Sequence, residues 1–319
     1  MNQPLRSFAP GSATAEEVRV ALASASVSAG SAPATGEMET AVVLGMPHLA
    51  LMGLSEQWLL KELGHIHWLM LAQAAGRAVP DFATVRGEPV YAAFCALRIR
   101  GARFVAAVEN GRLTIRSRVG RVSKTQIASL HRLALDGAPA GEVELVSTFV
   151  HRTGGGNHTI ARFEVPGLPL AAADGFGSEL ARIAGEHRAG RPVVTDDFAT
   201  GDLEAPTATA RLAERFGPAI FSPCPATDFN GAGFLYFASF VAFLDRAEWR
   251  ADPVAARTAS TTDRLVLYTG NLDPGEDLHV TLDDWAAGRP GAFTHRARLA
   301  AAATGGALAL AFTRKATAA

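Results

Sequence analysis

The chain has 319 residues, with 30 Lys and Arg against 31 Asp and Glu, a formal charge of −1, and 48% hydrophobic residues. Its charges are interspersed without a basic, aromatic-laced stripe, which excludes nucleic acid as an expected partner, and no uncharged apolar run reaches the roughly 18 residues of a membrane helix. At roughly 100–200 residues per domain the length predicts two domains, and Cys95 and Cys224, without Cys-x-x-Cys spacing, suit a reduced, cytoplasmic protein.

Residues 1–40 are rich in Ala, Ser and Gly and lack the basic start and apolar block of a signal peptide. They read as a loose leader with one short helix near Ala15–Ala23. From Gly45 onward the chain says one thing twice. Gly53-Leu54-Ser55 opens a helix with Leu59, Leu63, Ile66 and Met70 on one face. Ser55 is its N-cap, Leu54 its staple, and Gly76 and Pro80 end it. Extended segments follow at Val90–Ile99, Arg103–Glu109, Leu113–Arg121, Gln126–Leu135 and Val143–Arg152. The Asn110-Gly111 turn and the alternation predict antiparallel hairpins. Ala, Gly, Asp and Pro then dominate as far as Pro206, with a short helix at Gly177–His187. After Pro223–Pro225 comes a second helix, Phe234–Trp249, and again strands: Arg264–Tyr268, Leu278–Leu282, Ala292–Ala300 and Ala307–Thr313. The resulting division is a leader (1–40), a first domain (41–165), a linker (166–210) and a second domain (211–319). One helix followed by antiparallel strands, twice, is an α+β signature in which each sheet wraps a central helix, the tandem (double) hot-dog architecture.

The second helix entry carries the chemistry. In Thr227-Asp228-Phe229-Asn230-Gly231-Ala232-Gly233-Phe234-Leu235-Tyr236 a polar, glycine-rich turn joins an apolar helical stripe. Glycines let the backbone approach a ligand, and free N–H groups at a helix start favour an anion or a developing oxyanion. Asn230, Gly231, Gly233 and Asp228 are therefore the catalytic candidates. Asn230 would orient a carbonyl or carboxylate, Gly231 and Gly233 would donate backbone N–H groups, and Asp228 would hold the loop. Tyr236 joins the substrate-binding candidates with Gly53, Ser55 and Glu56, the counterpart turn of the first half. Asp228 and Asn230 equally suit a plain turn that satisfies the backbone, and Glu56 suits an exposed acid complementing the helix dipole. His65 and His67 point to different faces, and no zinc spacing is present, so no metal is expected. Thr153-Gly154-Gly155-Gly156-Asn157 lacks the Lys-Ser/Thr of a phosphate loop and reads as a hairpin turn.

Asp228, Gly233 and Tyr236 fit the helix entry Asp-x-Asp-x-x-Gly-x-x-Tyr/Trp of hot-dog acyl-CoA thioesterases, which this stretch resembles. Asn230 replaces the second Asp, and an amide neither attacks a carbonyl nor takes a proton at neutral pH, although it donates hydrogen bonds. Over most of its length the chain resembles the double hot-dog decarboxylase/acyltransferase family of polyketide biosynthesis, of the leinamycin-pathway type. The resemblance rests on Gly45-Met46 with Trp58, Gly64 and Trp68, on the hairpin Arg112–Val119, on Asp228–Gly233 with Tyr236–Ser239, and on Tyr268–Asp273. It implies decarboxylation of a malonyl-type (methylmalonyl) acyl-CoA and delivery of the product to an acyl carrier protein. Coenzyme A enters as the substrate thioester, and no cofactor or metal is implied. Hot-dog proteins commonly associate through their sheets, so a homodimer is consistent with it. The tyrosine proposed as acyl acceptor in that family has no counterpart in Val79-Pro80-Asp81-Phe82: either it is not needed for the chemistry, or this member has lost the transfer step, or another side chain such as Ser55 or Tyr91 serves. Two alternatives stay open: a hot-dog thioesterase or dehydratase, and a non-catalytic module that binds acyl carrier protein.

Overall fold

The computed structural model describes residues 36–193, 217–287 and 292–317. The helix expected near Ala15–Ala23 lies outside them. In the first half a strand β1 (Glu37–Val43) and the two-residue strands β2 (Leu49–Ala50) and β3 (Gly53–Leu54) precede helix α1 (Glu56–Ala74). Strands β4 (Tyr91–Arg100), β5 (Arg112–Arg121), β6 (Gln126–Leu135), β7 (Ala138–Arg152) and β8 (Ile160–Arg162) follow, and helix α2 (Ser178–Arg188) leads on. The second half comprises β9 (Ala219–Phe221), helices α3 (Phe237–Ala251) and α4 (Pro253–Thr258), and strands β10 (Ala259–Tyr268), β11 (Leu278–Ala287), β12 (Ala292–Ala301) and β13 (Ala307–Thr317).

The long strands form one sheet in the order β1-β5-β6-β7-β4-β10-β13-β12-β11-β9, with β8 beside β7. Each half therefore repeats one pattern, in which the strand before the helix lies at the outer edge and the strand after it at the centre. The halves meet where β4 pairs antiparallel with β10, from Ile99 opposite Arg264 to Ala96 opposite Leu267. This is the tandem hot-dog arrangement, with α1 and α3 as the two fillings. The described residues from Gly36 onward make one compact unit, because the strands of both halves form a single sheet across the β4–β10 seam.

Helical spacing explains α1. Leu59, Leu63, Ile66 and Met70 are all at most 2% exposed, and burying such a side chain contributes roughly 1.5–3 kcal/mol. The Ser55 hydroxyl accepts from Trp58 N–H (3.3 Å), the N-cap that the sequence predicts. Gly64 lets the two fillings touch, since a Cβ there would lie 2.7 Å from the Tyr236 hydroxyl and 2.8 Å from the Phe237 ring. Beneath α1 runs a buried polar ladder. His67 is hydrogen-bonded to Ser129 (2.7 Å) and Ser147 (2.8 Å), and His131 to Ser117 (2.8 Å) and Ser129 (2.9 Å). Burial lowers both imidazoles to about 3, so they are neutral at pH 7.

Several expectations need correction. Arg103–Glu109 is not extended: Phe104–Ala106 forms a single 3₁₀ turn, because Phe104 is drawn into the core beside β3. The Asn110-Gly111 turn does precede β5, but the partner of β5 on that side is β1, with Val43 opposite Arg112. That strand begins at Glu37, inside the stretch expected as a leader. The second helix starts at Phe237, later than the expected Phe234, and β9 and α4 were not foreseen. The short linker helix is present as α2, and it has a structural task. Leu180, Ala181, Ile183 and Ala184 cover the outer face of the seam against Cys95, Ala96, Leu265 and Leu267, while Glu179 meets the buried Arg98 at 2.8 Å.

Candidate active site at the start of the second helix

The turn ahead of α3 is built from its own backbone. Asn230 N–H donates to Phe234 O (2.9 Å), and Gly233 N–H donates to Asn230 O (2.9 Å). The Asn230 side-chain oxygen accepts from Ala232 N–H (3.0 Å) and Phe234 N–H (3.1 Å). Asn230 is thus a turn-former, and with its oxygen committed the Nδ2 amide is the part of the side chain left to donate. Asp228 is 3% exposed and holds the loop, as expected. Its carboxylate accepts from Cys224 N–H (2.8 Å), and its carbonyl accepts from Tyr236 N–H and the Ser239 hydroxyl, both at 2.9 Å.

Gly233 is a correction. Its N–H is taken by Asn230, so it does not serve a ligand; its contribution is a left-handed φ of 76°, which a side chain would strain. Gly231 is exposed and outside the cleft lining, with open space around it. The helix start itself lies further on. α3 has Tyr236 as N-cap with no side-chain cap, and the first amides of a helix have no acceptor inside it. Phe237, its first residue, lines a cleft of about 430 Å³, as do Asn230 and Tyr236. The tip of α3 therefore borders the cleft.

The interior of this cleft is apolar and aromatic, with Phe94, Phe237, Phe240 and Leu308. The rings of Phe94 and Phe237 lie 4.2 Å apart. Tyr268 adds a buried hydroxyl that donates to Phe237 O (3.1 Å). Burial pushes the Tyr236 phenol up to about 12, and that hydroxyl donates to Lys61 O (3.4 Å), so it stays protonated. The Cys95 thiol in the wall donates to Val146 O (3.3 Å), and burial pushes its ionisation up, so it is no nucleophile. Among the described residues that line the cleft there is no Asp or Glu, while His158, Arg162 and Arg188 are basic.

The first half reaches across to brace the turn, through residues that sequence reasoning left as an ordinary hairpin. Arg152 donates to Ala232 O (2.6 Å) and lies over the Phe234 ring at 4.2 Å. Asn157, 4% exposed, donates from Nδ2 to Gly233 O (2.7 Å) and Leu272 O (2.6 Å), accepts from Arg152 at Oδ1 (2.7 Å), and donates its N–H to Asp273 (2.8 Å). Asn271 grips the other side: its Oδ1 accepts from Leu235 N–H (2.8 Å) and its Nδ2 donates to Leu235 O (2.9 Å). A polar Asn closing a glycine run was the available signal. His158, Asp273 and Glu276 lie close enough to suggest a metal group. Asp273 already accepts from Asn157 N–H, and Glu276 accepts from Asp273 N–H (2.6 Å), so these acids lock the turns.

The first-half candidates stand apart from the cleft, and their assignment to substrate is corrected. Gly53 has φ 92°, and a Cβ there would lie 2.0 Å from Phe104 O, so it is glycine for packing. Ser55 is the α1 cap. Glu56 is neither an exposed acid nor a substrate group: it is 9% exposed and accepts from the Thr261 hydroxyl (2.8 Å). Burial raises its carboxyl, opposed by Arg264, whose Nε lies 3.1 Å away. Arg264 also meets Asp245 (2.9 Å), Lys315 meets Asp245 (2.8 Å) and Glu248 (2.5 Å), and His295 is bonded to Glu248 (2.8 Å). Of the alternative acyl acceptors, Ser55 caps α1, and Tyr91 stacks edge-on against Phe234 at 5.7 Å, outside the lining.

No protein-family model and no curated protein sequence matches this chain. Solved structures do resemble it. An acyl-ACP thioesterase from Bacteroides thetaiotaomicron superposes with a TM-score of 0.60 at 9% identity, covering 88% of this chain and 98% of that one. The 12:0-ACP thioesterase from Umbellularia californica gives a TM-score of 0.62 at 10% identity, covering 90% and 96%. At such identities the likeness establishes the hot-dog fold alone, over the 88–90% of this chain that is covered. Among the described residues no helix is long and apolar enough to cross a membrane.

Proposed function

We propose that this chain is an enzyme acting on acyl thioesters of a pantetheine arm, carried by coenzyme A or by an acyl carrier protein, in the cleft at the start of α3. The observation that carries the reading is the cleft at the helix tip beside Asn230, whose amide is left to donate because its oxygen is held by the turn. The thioester oxygen would lie between Asn230 Nδ2 and the Phe237 N–H, where oriented donors stabilise developing charge. The fold neighbours named above are acyl-ACP thioesterases, which supports the substrate class.

Two reactions follow from carbonyl polarisation. Hydrolysis, by a water rather than a side-chain acid, has the support of those neighbours. Decarboxylation of a malonyl-type acyl group with transfer to a carrier protein is favoured by the lining, since loss of carbon dioxide needs an electron sink and no carboxylate base. Incubating pure protein with acyl-, malonyl- and methylmalonyl-CoA, with and without carrier protein, and following product masses separates them. Free acid signifies hydrolysis, and loss of carbon dioxide with acylated carrier signifies the second reaction. A 3-hydroxyacyl-CoA added to the same assay tests the dehydratase alternative, which would lose the hydroxyl and an α-proton as water and leave the alkene. Unchanged substrates would overturn the enzyme reading in favour of a binding module.

A further inference from the structure

Resting on the thioester reading, the geometry points to Arg162 and Arg188 as a phosphate subsite that takes the phosphate at the outer end of the pantetheine arm. Both are exposed at the cleft and both line it. They arrive from different elements. Arg162 closes β8 opposite Val150, a wall residue. Arg188 ends α2 and donates to Tyr268 O at 3.3 Å. Their fields converge inside, since both act on the Cys95 thiol in the same wall. Neither has an ion-pair partner among the described residues, in contrast to the third basic group, His158, which lies 3.0 Å from Glu276. With no acid in the described lining, nothing there competes with an incoming anion.

The distribution of polarity matches the arm. A phosphate is strongly hydrated and stays at an exposed, cationic mouth, where arginine offers paired N–H donors. The acyl end is apolar and enters among Phe94, Phe237 and Phe240. The linker helix would then serve both as the cover of the seam and as one side of the binding site.

The test is calorimetric titration of the full chain with 4′-phosphopantetheine and with pantetheine. The phosphorylated compound is expected to bind about tenfold more tightly, with the preference shrinking as salt is added. It should vanish in Arg162→Gln/Arg188→Gln, whose melting temperature is expected to fall only slightly. Both residues are exposed, and among the described residues the 3.3 Å contact of Arg188 with Tyr268 O is the one side-chain hydrogen bond that is lost. KM should rise for acyl-CoA and acyl carrier protein alike, with kcat near wild type. Equal affinities in wild type, a preference that survives the double variant, or a KM rise confined to one carrier would overturn the subsite while leaving the thioester reading intact. Binding of neither compound would overturn both.

Discussion

The starts of the two central helices have the same place in a repeated pattern and opposite fates. At α3 the chain keeps a cleft open beside Asn230 and lines it with rings. At α1 the corresponding tip meets Arg264, which is fully buried with Glu56, Asp245 and Glu248 around it. Lys315 and His295 complete that cluster from β13 and β12. Charge has filled one tip, and a cleft borders the other. The halves thus divide the work: the second carries the turn beside the cleft, and the first supplies Arg152 and Asn157 to hold that turn in place.

The largest expected effect comes from breaking the sealed tip. Replacing Glu248 by Ala leaves Arg264 and Lys315 short of a buried counter-charge, a loss of about 3–5 kcal/mol in chemical denaturation. Next is the helix tip beside the cleft, where Asn230→Asp keeps an acceptor for Ala232 and Phe234 N–H but removes the donor and restores the second Asp of the thioesterase motif. The effect is therefore read on decarboxylation of the malonyl-type substrate, which needs no carboxylate base, and not on hydrolysis. Turnover should fall by about 10²–10³-fold at near-native stability, and an unaltered kcat would remove Asn230 from the chemistry. The brace gives a smaller, mixed outcome. Asn157→Ala should lower kcat more than it raises KM and cost about 1–3 kcal/mol of stability, because Gly233 O and Leu272 O are left without their donor.

Acid distinguishes the halves again. His67 and His131 have imidazoles held at about 3 in the folded first half, against 6.5 when unfolded. Above pH 6.5 both states are neutral and the ladder carries no proton-linked penalty. As the pH falls from about 6.5 toward 3 the unfolded chain binds protons that the native state refuses, so stability is lost at about 2 kcal/mol per imidazole by pH 5. Unfolding curves at pH 7 and pH 5 test this, with His67→Gln expected to flatten the dependence. At the bottom of the scale, Gly231→Ala should change neither activity nor melting, since a Cβ there meets nothing within 4 Å.

Much of this was legible in the sequence. The spacing of Leu59, Leu63, Ile66 and Met70 marks α1, and alternation marks β5, because burial of one face imposes those periods, whereas β6 and β7 are buried on both faces over much of their length. The repeated order of helix and strands was enough for the fold. What stayed hidden depends on contacts between distant segments. Glu56 looks like a surface acid until β10 brings Arg264 beneath it. Gly233 looks like a free donor until the turn closes on Asn230. Asn157 is an ordinary loop residue until it meets Gly233 and Leu272, more than a hundred positions away in the latter case. The edge strand β1 lay within a composition that resembles a leader, and only its pairing with β5 reveals it.

The most direct measurement is a crystal structure with a non-hydrolysable acyl-CoA analogue. The account predicts one molecule per chain, its thioester-mimicking oxygen within hydrogen-bond distance of Asn230 Nδ2 at the start of α3. An analogue seated at the α1 tip, or one whose carbonyl faces away from Asn230, would contradict it.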